Sequence, residues 1–171
     1  LLRSVASEQV YYGRYLFLTS VKIAGYRVLK AIDIWTGQTV AIKQVLLAPS
    51  GTNIPSYILA ECLRHEAWLL SVLPAGCGPR LIEFIEEGAL LVLIMEWIDG
   101  KTLAEVIEEK QLTVQGRINV AMQVCNAIAR LHHCSPPLLH NDLKPSNLIV
   151  TPDGQVIPID FGLSRYVGET P

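Results

Sequence analysis

A polar octet, His140-Asn141-Asp142-Leu143-Lys144-Pro145-Ser146-Asn147, lies between two aliphatic pairs, Leu138-Leu139 and Leu148-Ile149. Polar residues held between apolar anchors describe a fixed loop. Within it Asp142 is a candidate proton acceptor, Asn147 a metal ligand through its amide oxygen, and Lys144 a cation able to face a transferred phosphate. Taken alone, the same stretch is an ordinary turn rich in Asn, Asp, Pro and Ser. Its context is Asp160-Phe161-Gly162, which follows the apolar segment Val156 to Ile159 and begins eighteen positions after Asp142. A carboxylate at a strand end followed by glycine suits a divalent cation, the plainer alternative being another turn.

A second cluster is assembled from two separate elements. On a strand through Val40-Ala41-Ile42-Lys43, Ala41 and Lys43 point to one face and Val40 and Ile42 to the other, so a small residue and a cation share a surface. A strand lysine most often reaches solvent. Downstream, however, Cys62, Glu66, Leu69 and Leu73 recur at i, i+4, i+7 and i+11, which puts a carboxylate on an otherwise apolar helical stripe. A buried glutamate needs a cation, and Lys43 and Glu66 would satisfy each other. The rival carboxylate, Glu61, falls about 140° around the helix, beside Ile58, His65 and Trp68.

The elements that must hold these residues are legible in outline. Tyr26 to Ala31 and Thr39 to Lys43 flank a turn signal at Thr36-Gly37 and predict a hairpin. Asn53-Ile54-Pro55-Ser56 opens a helix that Pro74, Gly76 and Gly78 close after Leu73. Leu81 to Ile85 and Leu90 to Met95 predict two strands across Glu86-Glu87-Gly88, and Asp99 to Thr102 breaks the pattern before a short helix over Leu103 to Lys110. Val114 to His133 predicts the longest helix, with Ile118, Met122, Cys125, Ala129 and His132 as its apolar stripe, ending before Pro136-Pro137. Leu148 to Val150 and Val156 to Ile159 are short apolar pieces joined by a Pro152-Asp153-Gly154 turn. Two contiguous lobes meeting near Asp99-Gly100 fit this order.

Composition narrows the function classes. With 171 residues, 50% apolar and 18% charged, and a mean hydropathy of +0.34, the chain packs into one domain or two small lobes and is not a disordered segment. The longest unbroken apolar run, Ala89 to Met95, is far short of the ~20 residues of a membrane span, so no direct membrane insertion is expected. A net charge of -2 offers no general attraction to nucleic acid. Cys62, Cys77, Cys125 and Cys134 form no CxxC pair and no secretory leader precedes them, so reduced thiols and a cytoplasmic setting are expected. Residue 1 is leucine, which reads as a processed product or an excerpt of a longer chain.

Together these pieces resemble the signature set of the eukaryotic-type serine/threonine protein kinases, from about Gly13 to the last residue. Val40 to Lys43 resembles the third-strand lysine motif, and Glu66, followed by Leu70 and Leu73, the glutamate paired with it. Met95-Glu96-Trp97-Ile98 resembles the gatekeeper and hinge, His140 to Asn147 the catalytic loop, and Asp160-Phe161-Gly162 the magnesium-binding triplet. Lys144-Pro145 after Asp142 is the serine/threonine form, and the Gly13-Arg14-Tyr15 start is similar to many bacterial members. The resemblance implies an α+β, protein-kinase-like fold: an extension over 1–12, an antiparallel N-lobe with helix C over 13–98, and a partial, mainly helical C-lobe over 99–171. It implies ATP and Mg2+ as cofactors and a protein substrate. ATP would lie against Val28, Ala41, Lys43, Glu66, Met95, Glu96 and Ile98, with Asn147 and Asp160 on the metal and Asp142, Lys144 and Lys43 catalytic.

Counting back from Val28, the family's three phosphate-loop glycine positions fall on Val21, Ile23 and Tyr26, with Gly25 the one glycine nearby. That motivates an alternative, a pseudokinase or nucleotide-binding scaffold; a small-molecule phosphotransferase matches the Asp-Leu-Lys-Pro wording and the hinge poorly. Asn141 stands where the family commonly has arginine, which implies independence from activation-segment phosphorylation. The chain ends nine residues after Gly162, which reads as a fragment.

Overall fold

The computed structural model describes residues 10–23, 26–47 and 55–168, with backbone alone over 21–23. By contact pattern the chain divides into two units, residues 1–63 with 81–97 and residues 64–80 with 98–171.

The first unit is an antiparallel sheet of β1 (Val10–Tyr11), β2 (Tyr15–Ile23), β3 (Tyr26–Asp33), β4 (Thr39–Leu46), β5 (Leu81–Glu87) and β6 (Leu90–Glu96), in the order β1-β2-β3-β4-β6-β5. The predicted hairpin is β3–β4, closed where Thr36 N and Gly37 N both donate to Asp33 O, with Gly37 at φ +72. Alternating residues of the central strands build the core: Leu29 and Ala31, Val40 and Ile42, and Val92 and Ile94 cluster with Tyr15. Burial of each large aliphatic side chain is worth about 1.5–3 kcal/mol. Directly paired residues share a face in an antiparallel ladder. The pairings Val28↔Lys43↔Leu93 and Lys30↔Ala41↔Met95 therefore put Val28, Ala41, Lys43 and Met95 on the face opposite that cluster. Strand β2 had no counterpart in the sequence reading.

Helix α1 (Ser56–Val72) begins after Pro55, whose carbonyl accepts from Ile58 N and Leu59 N. Leu59, Ala60 and Leu63 are buried in its first half and Glu66, Ala67, Leu69 and Leu70 in its second. The apolar face is thus broader than the expected stripe, whose ends, Cys62 and Leu73, are half-buried.

In the second unit Thr102 N-caps α2 (Leu103–Glu108) in a capping box with Glu105, and Thr113 caps α3 (Val114–His132) through Gly116 N. Each such cap is worth about 1 kcal/mol. A small sheet runs β10 (Val156–Pro158), β9 (Leu148–Val150), β7 (Lys101–Thr102), and a two-stranded ladder joins β11 (Arg165–Tyr166) to β8 (Leu138–Leu139). Gly100 makes the first sheet possible: a Cβ there would lie 2.4 Å from Val150 O.

The face of α3 differs from expectation. Ala127 packs with Leu148 and Val156, flanked by Val124, and Leu131 is also buried, whereas Ile118 and Met122 are 48% and 58% exposed and Cys125 and His132 are exposed too. The helix carries two apolar stripes, and Val120, Val124, Ala127 and Leu131 have the same i, i+4, i+7, i+11 spacing as the one first read. Periodicity alone does not choose between them.

Candidate active site

The octet folds as a loop ending in a 3-10 turn over Pro145–Asn147, pinned by Asn147 N to Lys144 O at 2.9 Å and by Ile159 N to Asn147 O at 2.9 Å. Inside it Lys144 Nζ donates to Asp142 Oδ2 at 2.6 Å, while Asn147 Nδ2 donates to Asp142 O at 3.0 Å and Oδ2 at 2.8 Å. The Lys144 ammonium, against a smaller opposing effect of burial, holds the Asp142 carboxyl below the usual carboxylate range. It is therefore ionised at neutral pH, as a proton acceptor must be. Asn147 is buried, and with its amino group committed to Asp142 its amide oxygen is the atom suited to a hard cation.

Asp160 follows β10 in the left-handed region at φ +65, and Asn141 sits at φ +60. A non-glycine residue there costs of order 1–3 kcal/mol and persists only where its surroundings fix it. They do so at Asp160 from both sides. His140 Nε2 lies 3.1 Å from Ile159 O, and Phe161 N donates to Glu66 Oε1 at 3.2 Å. The His140 bond requires the proton on Nε2, and burial lowers the imidazole pKa, so the ring is neutral. Phe161 is fully buried, its ring 5.1 Å from that of His140 and pressed on Gly78, where a Cβ would come within 2.6 Å. Glu66 is 1% exposed, as expected of a carboxylate on an apolar stripe, and Glu61 is exposed.

The remaining candidates lie in the first unit except Ile98. Lys43 is 4% exposed on β4 with its Nζ 4.3 Å from the Tyr26 ring centroid, and Tyr26 Oη in turn donates to Leu59 O at 2.9 Å. Ala41 and Met95 are buried, Val28 half-buried and Glu96 exposed; Ile98, in the second unit, is half-buried. Of the phosphate-loop positions, Val21 pairs with Val28 and Ile23 with Tyr26 by backbone, and Gly25 lies outside the described residues.

The donor set fits magnesium better than a softer metal. Asn147 and Asp160 offer oxygens only, and no cluster of three His, Cys, Asp or Glu residues exists among the described residues. Mg2+ commonly takes one or two protein oxygens and completes its shell with phosphates and water.

Three residues went unassigned in the sequence. His65 and Trp68 were placed on the side of α1 away from Glu66, and Ser164 carried no motif. His65 Nε2 lies 2.6 Å from Ser164 O, the Trp68 ring meets Tyr166 edge-on at 5.9 Å, and Ser164 Oγ donates to His140 O at 3.0 Å. The one usable signal was a histidine and a tryptophan three positions apart on the same helix as the glutamate.

Comparison with known proteins agrees with this geometry. The family model described as protein kinase domain matches residues 25–171. Serine/threonine-protein kinase PknA of Mycobacterium tuberculosis is 29% identical over 166 residues, covering 93% of this chain and 37% of that protein. Serine/threonine-protein kinase VIK of Arabidopsis thaliana is 31% identical over 139 residues (78% and 30%), and CTD kinase subunit alpha of Schizosaccharomyces pombe 28% over 146 (82% and 23%). The chain thus spans between a fifth and two fifths of these relatives' lengths. The match over 25–171 shows that the chain belongs to the protein kinase domain family.

Proposed function

We propose that this chain carries the N-lobe and catalytic-loop residues of an ATP-dependent serine/threonine protein kinase domain, in which Asp142 accepts the proton of a protein Ser or Thr hydroxyl as the γ-phosphate is transferred to it. The observation that carries the reading is the Asp142 carboxylate, ionised and aimed by Asn147 with Lys144 beside it. When bound, Mg2+ would neutralise the phosphate oxygens. Asn147 and Asp160 would hold that ion. Lys144 would steady the γ-phosphate, and Lys43, paired with Glu66, would orient the α- and β-phosphates. Val28, Ala41 and Met95 would contact the adenine side, with the backbone of Glu96 and Ile98 bonding the base. Catalysis then rests on positioning and charge neutralisation.

The printed names of PknA and VIK support the serine/threonine assignment. In the proposed division 13–98 is the N-lobe, 99–171 the catalytic-loop part of the C-lobe and 1–12 an extension. The partner is a protein substrate rather than nucleic acid, in keeping with the net charge of -2, and the setting proposed is the cytoplasm. No helix among the described residues is long and apolar enough to cross a membrane. Calorimetric titration with ATP tests the nucleotide site: binding should be tight with Mg2+ and weak without it, and Asp160→Ala should remove the metal dependence while leaving adenosine binding intact. Failure to bind nucleotide under either condition would sink the reading.

A further inference from the structure

We infer that His65 and Trp68 are positioning residues for Asp160: together with Glu66 they bind the segment Phe161–Tyr166 to the second half of α1, and so hold Asp160 in its left-handed conformation. The part Asp160 plays in metal binding rests on the kinase reading; the clamp itself rests on contacts within the second unit. Three successive points of α1 reach three points of the segment. Glu66 Oε1 accepts from Phe161 N at 3.2 Å, His65 Nε2 donates to Ser164 O at 2.6 Å, and Trp68 meets Tyr166 at 5.9 Å with an interplanar angle of 85°. The edge-on geometry is the favourable one for aromatic rings, worth about 0.5–1.5 kcal/mol beyond its area.

The opposite side of the segment is held by the octet and the strand before it. Asn141 Nδ2 donates to Leu163 O at 3.1 Å, Ser164 Oγ donates to His140 O at 3.0 Å, and Arg165 and Tyr166 pair with Leu139 and Leu138. Val167 N continues this ladder to Pro137 O at 2.8 Å. A segment anchored on both sides can keep the φ of +65 that Asp160 adopts, because relaxing it would displace Phe161 and Ser164 from partners on two different elements. Without His65, the chain beyond Phe161 loses the hydrogen bond that ties Ser164 O to α1.

The test uses the 171-residue chain and its variants His65→Ala, His65→Gln, Trp68→Ala and Trp68→Phe. Hydrogen exchange without nucleotide is expected to speed up at least tenfold over residues 161–167 in His65→Ala and severalfold in Trp68→Ala, with α3 amides unchanged. The glutamine amide can donate the same bond and the phenylalanine ring the same edge, so both conservative variants should restore protection. Mn2+ titration with ATP present, read by electron paramagnetic resonance, should weaken about tenfold in His65→Ala while adenosine binding is unchanged. Unaltered exchange over 161–167 in His65→Ala overturns the clamp. Faster exchange with unaltered Mn2+ affinity overturns its connection to Asp160. Absence of Mn2+ binding by the unsubstituted chain overturns the kinase reading and the metal-positioning role with it, and the exchange data then judge the clamp alone.

Discussion

Arg14–Asp33 in the first unit and Lys144–Asp142 in the second are both short charge-assisted contacts, 2.7 and 2.6 Å long. Their surroundings differ in every other respect. The Asp33 side chain is 2% exposed and accepts from Arg14 Nε and Nη2, Trp35 N and Thr36 Oγ1. The Arg14 guanidinium lies over the Tyr15 and Trp35 rings at 5.1 and 4.6 Å and within 3.5 Å of Glu83, to which Tyr15 Oη also donates. Burial and then that bond push the Tyr15 phenol up to about 12. Asp142, by contrast, is 29% exposed and its lysine 50% exposed, with one side-chain amide completing the set. A carboxylate whose lone pairs are all engaged can only hold the fold together. One left partly open keeps a lone pair, which the base role proposed for Asp142 requires.

This contrast can be broken most severely at Asp142. Asp142→Asn should lower the phosphotransfer rate by about 10²–10⁴-fold with little change in melting temperature, since a positioned base contributes roughly that much. Activity within tenfold of the unsubstituted protein would remove Asp142 from the role of base. The reciprocal change, Asp33→Ala, removes the buried carboxylate that accepts from Arg14, Trp35 N and Thr36 Oγ1 and should cost about 2 kcal/mol in urea unfolding. A loss below ~1 kcal/mol would reduce the Arg14–Asp33 contact to a surface pair.

Acid sharpens the comparison. The Arg14 guanidinium, followed by the Thr36 and Trp35 bonds, holds the Asp33 carboxyl far below the usual range against the opposing effect of burial. Because the folded pKa lies below the unfolded one, the stabilisation is fully present above about pH 4 and is lost as the pH falls through the folded value. Acid unfolding monitored by circular dichroism should therefore flatten below pH 4 in Asp33→Asn; an unchanged slope would assign the acid sensitivity elsewhere. The smallest effect belongs to Lys144. Lys144→Met should change stability by less than about 1 kcal/mol, as half-exposed ion pairs do, yet raise the Asp142 pKa toward its ordinary value. The acidic limb of kcat/KM would move to higher pH, and an unmoved limb would show that Lys144 does not set that ionisation.

The sequence was informative where neighbours in the chain are also neighbours in space. Asp142, Lys144 and Asn147 lie within one turn-length stretch, and the Asp33–Gly37 turn is equally local, so motif spacing and turn chemistry located both. Arg14 and Asp33 are nineteen positions apart, Tyr15 and Glu83 sixty-eight, and neither pair leaves a periodic trace. The two-residue strands β8 and β11 are likewise too short to stand out from loops. On α3 the pattern was visible but doubled, and only the packing of Leu148 and Val156 selected Ala127 over Met122. The buried glutamate was found because an acidic side chain on an aliphatic stripe is itself an anomaly; His65 and Trp68, on the more polar side, presented none.

The clamp on α1 also fixes an order of events during synthesis. Glu66 leaves the ribosome ninety-five residues before Phe161, and His65 ninety-nine before Ser164. At about 5–20 residues per second that interval is roughly 5 to 20 s, far longer than the sub-microsecond to microsecond time in which a helix forms. For that span the second half of α1 waits for the segment that Glu66, His65 and Trp68 bind. The segment that covers it, Phe161–Tyr166, is thus translated long after the helix it binds.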